Sequence, residues 1–156
     1  MDKKRVLFVC LGNICRSPAA EGVLRSIVAA HGDDDNWVID SAGTGGYHVG
    51  DLPDSRMRSA ARRRGLKLDH ICRQVRPGDF DNFDYIIGMD ASNVANLRRI
   101  APTPEAEAKI HRIDEWMDPR CGYDYVPDPY YEGPEGFELV LDLLGDACTS
   151  IYNQLP

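Results

Sequence analysis

The stretch Val6-Leu7-Phe8-Val9-Cys10, then a loop of six residues, then Ser17-Pro18, limits the fold more tightly than any other part of the chain. Val6 to Val9 are apolar, three of the four β-branched or aromatic, and read as a buried strand that ends at Cys10. Ser17 reads as a helix N-cap, and Pro18 suits the first helical position, where its missing N–H costs nothing. A short loop from a strand's carboxyl end to a helix's amino end turns several backbone N–H groups inward, and the helix dipole adds positive potential. Leu11, Gly12, Asn13, Ile14 and Cys15 are therefore expected to form an anion cradle, with the Cys10 thiol at one rim and the Arg16 guanidinium at the other.

The chemistry follows from that pair. A free thiol titrates near 8.5, and only its thiolate is a good nucleophile. Inward amides, a helix N-terminus and the Ser17 hydroxyl all favour a thiolate at Cys10. Arg16 offers a planar fork that can hold two oxygens of a phosphate and follow them into the transition state. A thiolate facing a clamped phosphoryl group is set for in-line attack and a phosphocysteine intermediate. A Cys and an Arg at this spacing are weak evidence alone. The strand before, Gly12 and Asn13 within for unusual backbone angles, and the Ser-Pro start after supply the context. The plain alternative is a buried strand cysteine beside an ordinary turn. Cys15 lies inside the cradle, so an oxidised Cys10 could be trapped as a disulfide that thiols reverse, and peroxide inactivation of Cys15→Ser is then expected to reverse less fully than that of the wild type.

At 156 residues the chain is long enough for one well-buried core and short for two, so one domain spanning 1–156 is expected. The net charge of −7 disfavours nucleic acid and acidic membrane surfaces as partners. No apolar run nears the ~18 residues of a membrane span, and the one behind Met1-Asp-Lys-Lys-Arg is too short for a signal peptide. The five cysteines (10, 15, 72, 121 and 148) are odd in number and form no Cys-x-x-Cys pair. That usage fits a reducing compartment, the cytoplasm, and argues against a disulfide framework or a zinc site. No metal or cofactor is expected. Cys72, Cys121 and Cys148 read as packing residues or idle thiols, and His31, His48 and His111 as surface or core filling. Arg62-Arg63-Arg64, just before Gly65, reads as a solvated helix end.

Along the chain a first helix is predicted from Pro18 to about Ala30, with Val23, Leu24, Ile27 and Val28 on one face. Trp37 to Ala42 reads as a second strand, followed by a glycine-rich loop, Gly43 to His48. A helix opened near Leu52-Pro53 and closed by Gly65, a third strand over Tyr85–Met89, and a helix capped by Asp90 and running to Leu97 follow. Pro102 and Pro104 interrupt, Lys109–Ile113 reads as the fourth strand, and Asp114 to Gly136 as one long loop before a final helix ending at Tyr152. Strands alternating with helices imply right-handed crossovers: an α/β fold, a four-stranded parallel sheet with helices on both faces, a Rossmann-like three-layer sandwich. Ligands in such folds bind at strand carboxyl ends, where Cys10 falls.

Cys10-Leu-Gly-Asn-Ile-Cys-Arg-Ser-Pro resembles the signature loop of the low-molecular-weight protein tyrosine phosphatases. The resemblance continues through Trp37-Val-Ile-Asp-Ser-Ala-Gly, Phe83-Asp-Tyr-Ile-Ile-Gly-Met-Asp and Asp128-Pro-Tyr-Tyr, nearly the whole chain in the family's order. It implies hydrolysis of phosphotyrosine in proteins or peptides, with Cys10 as nucleophile and Arg16 as clamp. By itself Asp128 would begin a simple Asp-Pro turn; the resemblance assigns it as general acid and base. A phenol leaving at pH 7 without a proton forfeits about 4 kcal/mol, and a carboxyl held over a phosphate dianion can keep its proton to supply it. Tyr130 and Tyr131, with Tyr47 where the family carries an aromatic residue, would wall a pocket deep enough for a phenyl phosphate. The resemblance also implies that Ser41 and His70 support the cradle with Asn13. It further implies that Tyr130 or Tyr131 is a target of a tyrosine kinase, which makes such a kinase a candidate partner.

Three other activities compete. Thioredoxin-coupled arsenate reductases share the scaffold but need further thiols after residue 75, and Phe80 to Met89 holds none. Protein-arginine phosphatases resemble this chain but carry threonine where Ile14 stands; the apolar Ile14 suits an aryl ring. A non-catalytic phosphate-binding module would bind phosphopeptides without releasing phosphate.

Overall fold

The computed structural model describes residues 3–156. Strand β1 (Lys4–Cys10) lies inside the sheet, between β2 (Trp37–Gly43) and β3 (Tyr85–Gly88), and β4 (Ile110–Arg112) closes the far edge. All three pairings are parallel, in the order β2-β1-β3-β4. Val6, Leu7, Phe8 and Val9 are fully buried, and alternation along β1 divides them between two cores. Val6 and Phe8 face one layer with α1 (Arg16–Ala30) and α6 (Pro134–Gln154), through Leu24, Val140, Leu144 and Ile151. Leu7 and Val9 face the other, against Phe80 of α3 (Asp79–Asn82) and Leu97 of α4 (Ala91–Ile100). A strand covered on both faces has no reason to alternate polar with apolar, hence the unbroken apolar run. The three-layer α/β architecture is as the sequence implies, and no helix among the described residues is long and apolar enough to cross a membrane.

Several boundaries differ from expectation for identifiable reasons. The first helix starts at Arg16, with Cys15 in the cap position, so Ser17 is not an N-cap. Its hydroxyl is buried and turned toward Cys10 and Asn13 instead. Pro104 does not merely interrupt: it opens α5 (Pro104–Glu107), whose first turn is capped by Thr103 Oγ1 accepting from Ala106 N at 3.1 Å. Asp90 caps α4 as expected, accepting from Asn93 N at 2.8 Å, and the helix continues past Leu97 to Ile100. The long stretch before α6 contains two 3₁₀ turns, Ile113–Trp116 and Pro119–Cys121. Val126 N donates to Met89 O at 2.9 Å, which docks this stretch on the end of β3.

Helix α2 (Ser55–Arg62) packs Met57, Ala60 and Ala61 into the α1–α6 core. The arginine run at its end is not a solvated terminus throughout. Arg63 and Arg64 both reach Glu138 on α6, at 3.0 and 2.8 Å, and Arg64 also pairs with Asp142 at 2.9 Å.

Candidate active site

The loop leaving β1 is shaped by where its carbonyls go. Thr44 N donates to Cys10 O, Gly45 N to Leu11 O and Asp54 N to Ile14 O, all within 2.9 Å, and the Cys72 thiol donates to Asn13 O at 2.8 Å. Four carbonyls are thus drawn outward to neighbouring segments. Among the described residues the amides of Gly12, Asn13, Ile14 and Cys15 have no acceptor of their own. Amides turned inward beside the start of a helix make an anion site.

Asn13 makes that turn possible. Its φ of 56° is the left-handed region, which Asn tolerates better than most residues. The side chain is fully buried, and every hydrogen-bonding position on it is used. Nδ2 donates to Ser17 Oγ at 2.8 Å and to Ser41 Oγ at 3.0 Å; Oδ1 accepts from His70 Nε2 at 2.8 Å and Arg73 N at 3.0 Å. Ser41 in turn donates to Glu21 Oε1 at 2.7 Å, and His70 Nδ1 lies 3.2 Å from the same oxygen and 3.4 Å from Asp40. Glu21, Asp40 and His70 could in principle hold a cation, their ligand atoms lying within 4.8 Å of one another. Glu21 and His70 are already committed to Ser41 and Asn13, so the trio acts as a hydrogen-bonded support.

Cys10 Sγ lies 3.0 Å from Ser17 Oγ. That hydroxyl accepts from Asn13, and its own proton has two acceptors in range, the sulfur and, at a longer 3.4 Å, Ala42 O. Arg16 is 3% exposed. Its Nη1 donates to Asp90 Oδ2 at 2.6 Å and to Val126 O at 3.1 Å, while Nη2 faces Asp128 Oδ2 at 3.8 Å. Burial works against the charge on Arg16, but Cys10, Asp90 and Asp128 outweigh it and raise its pKa further. The cation is permanent. Burial pushes the Cys15 thiol well up, and Asp54 and Cys10 add to it. Burial is also the main cause at Cys72, which is pushed up to about 11.

Cys10, Arg16, Asp128, Tyr47, Tyr130 and Tyr131 all border one cavity of about 360 Å³, together with Leu11, Gly12, Ile14 and Cys15. Asn13, Ser17, Ser41 and His70 stand behind the loop and carry it. Asp128 is half exposed, and its Oδ1 accepts from Tyr130 N at 3.0 Å, so the Asp-Pro turn and the position facing Arg16 coexist in one residue. The Tyr130 and Tyr131 rings meet edge to face at 4.9 Å. Arg56 lies over Tyr130 at 5.2 Å and grips Asp54 through two bonds, tying this wall to the start of α2.

Asp90, His48 and Cys72 are among the site residues that the sequence does not reveal. Asp90 anchors Arg16 as well as capping α4, and only the cap is visible from spacing. His48 borders the cavity close to Gly12, with Nδ1 3.6 Å from Asp51. Cys72 is no idle thiol but a donor to the loop. Nothing local marks these two, because a lone His or Cys in a loop carries no periodic signal.

Fold and site together define an α/β protein that presents a thiol and a guanidinium on an anion-binding loop. Residues 5–156 match the family described as low molecular weight phosphotyrosine protein phosphatase. The human low molecular weight phosphotyrosine protein phosphatase is 44% identical over 152 residues, 97% of this chain and 95% of the relative. A crystal structure of a protein tyrosine phosphatase from Entamoeba histolytica, with Hepes in its active site, superposes with a TM-score of 0.93 at 43% identity, covering 97% and 96% of the two chains. The structure of a Drosophila arginine phosphatase gives 0.88 at 34% identity, covering 95% of each. The chain belongs to the low molecular weight phosphotyrosine protein phosphatase family.

Proposed function

We propose that this chain hydrolyses phosphotyrosine in proteins through a phosphocysteine on Cys10. The observation that carries the reading is the common cavity: Cys10, the loop residues Leu11, Gly12, Ile14 and Cys15, Arg16 and Asp128 all line it. The phosphate dianion seats on the loop amides, with Arg16 held from behind by Asp90 and Val126 so that its remaining N–H groups face the phosphate oxygens. The Cys10 thiolate, hydrogen-bonded by Ser17, attacks phosphorus in line. The bond to the tyrosine oxygen breaks, and that oxygen takes the proton of Asp128. Water then attacks phosphocysteine, gives a proton to the Asp128 carboxylate, and releases phosphate and the thiolate. Tyr47, Tyr130 and Tyr131 flank the ring of the substrate, and Asn13, Ser41 and His70 keep the loop in shape.

The likeness to an arginine phosphatase raises phosphoarginine as a second substrate. The Ile14 side chain at the cavity offers no polar partner to a guanidinium, which favours the aryl ester. Acid quench of the enzyme with a labelled phosphotyrosyl peptide tests the mechanism. Radioactive phosphate bound to Cys10, and absent from Cys10→Ser, is expected; label on another residue, or none at a quench that catches turnover, rejects it.

A further inference from the structure

Of the arginine run at the end of α2, Arg63 and Arg64 are held by α6, but Arg62 borders a second cavity. This groove, of about 460 Å³, runs between α2 and segment 65–69, with Leu52, Leu66, Leu68, Arg58, Arg62 and Lys67 on its walls. Asp69 is the one acid among its lining residues. Arg58 donates to Pro53 O at 3.0 Å; among the described residues neither Arg62 nor Lys67 has a carboxylate at ion-pair distance. Arg58 and Arg62 stand one helical turn apart, where like charges repel. In a chain of net charge −7, the groove is therefore a local concentration of cations over leucines.

The groove is close to the phosphate site. Tyr47 and His48 border the first cavity and Leu52 the second, so at most about 14 Å of chain separates them. The turn from His48 O to Asp51 N, bonded at 2.9 Å, shortens that path. Val49, Leu52 and Ile71 are exposed, and their segments are joined by Gly50 N to Cys72 O and Cys72 N to Asp51 O. An apolar rim thus leads from one cavity toward the other. An extended peptide rises about 3.3 Å per residue, so four or five residues bridge the gap.

We propose that this groove docks an acidic, leucine-bearing segment of the phosphoprotein substrate, four or more residues from the phosphotyrosine. The inference rests on the phosphotyrosyl-protein reading above. It makes substrate choice depend on sequence well beyond the ring pocket, with the cations recognising glutamate or aspartate and Leu52, Leu66 and Leu68 taking an aliphatic side chain.

Initial rates on short neutral phosphotyrosyl peptides, and on the same peptides carrying Glu-Leu-Glu from the fifth residue on either side, test it. For the wild type, KM is expected to be about 5- to 10-fold lower for one of the extended peptides at low salt, with kcat unchanged. The advantage should fade near about 0.5 M salt, where the Debye length is short. Arg62→Glu/Lys67→Glu should erase it while leaving short-peptide and phenyl phosphate constants intact, and the milder Arg62→Gln/Lys67→Gln should reduce it. Arg58 is left alone because it holds Pro53. Equal KM values for short and extended peptides in the wild type overturn the proposal, as does an advantage that survives charge reversal. A change of oligomeric state in the charge-reversed protein without a change in KM overturns it too, giving the groove to a second copy. Failure to hydrolyse even the short peptide would instead reject the catalytic reading.

Discussion

Asp128 lines the cavity and faces Arg16, while the Cys72 thiol holds the Asn13 carbonyl of the loop. Asp128→Ala removes the carboxyl that faces Arg16 Nη2. Its kcat should fall about 10²- to 10⁴-fold on phenyl phosphate, and much less on nitrophenyl phosphate, whose leaving group needs little protonation. Equal losses on the two esters would remove Asp128 as proton donor. Cys72 donates to Asn13 O, and a thiol pushed up to about 11 keeps the proton it donates at any ordinary pH. Cys72→Ala leaves that buried carbonyl without a donor, at a cost of about 1–3 kcal/mol, and Cys72→Ser restores an O–H. Thermal melts and the inhibition constant of inorganic phosphate should both worsen in the alanine variant and recover in the serine variant. An alanine variant as stable and as tightly inhibited as the serine one would mean the thiol only fills space.

The elements around the loop limit its shape as firmly as its own residues do. Gly43 ends β2 opposite Cys10, and a Cβ there would lie 2.8 Å from Leu11 O and 3.1 Å from Asn13 N. Both neighbours are backbone, so neither can swing aside. Gly43→Ala is expected to displace the loop rather than unfold the sheet, weakening phosphate inhibition about 10-fold or more with circular dichroism unchanged. Unaltered phosphate inhibition would show that the loop yields without losing its geometry. The signal for the loop's existence, a strand and a helix abutting over a few residues, is local and was legible. The partners that shape it (residues 43–45, 54 and 72) come from three other segments, and spacing within one segment cannot reveal them. The same holds for Arg64, whose partners on α6 lie 74 and 78 positions away. Read within its own helix, the arginine run looked merely solvated.

Across the molecule, buried thiols tie stability to alkaline pH. Burial raises the Cys148 thiol well above its ordinary value, and burial is the main cause of the same rise at Cys15. Above pH 9 the unfolded chain loses these protons while the folded chain retains them, so stability present below about 9 is lost as pH rises. Each such thiol contributes about 1.4 kcal/mol of loss per pH unit. Urea melts of wild type and Cys148→Ala at pH 8, 9 and 10 check this. The variant starts less stable because of its small cavity, but its stability should decline less steeply between pH 9 and 10; parallel slopes would mean that Cys148 ionises as easily folded as unfolded.

Hydrophobic runs and turn residues are local properties, and from them the strands, the alternation with helices and the strand–loop–helix cradle could be read directly. Asn13 in a left-handed conformation also belongs there, because few other residues accept that φ. Tertiary structure alone decided which distant groups complete the site. Arg16 is aimed by Asp90 and Val126, the Asn13 carbonyl is held by Cys72, and His48 stands at the mouth. These pairings depend on how chain ends of separate strands converge, and a hydrogen bond between residues 59 or 110 positions apart leaves no periodicity in the sequence for its partners to be found by.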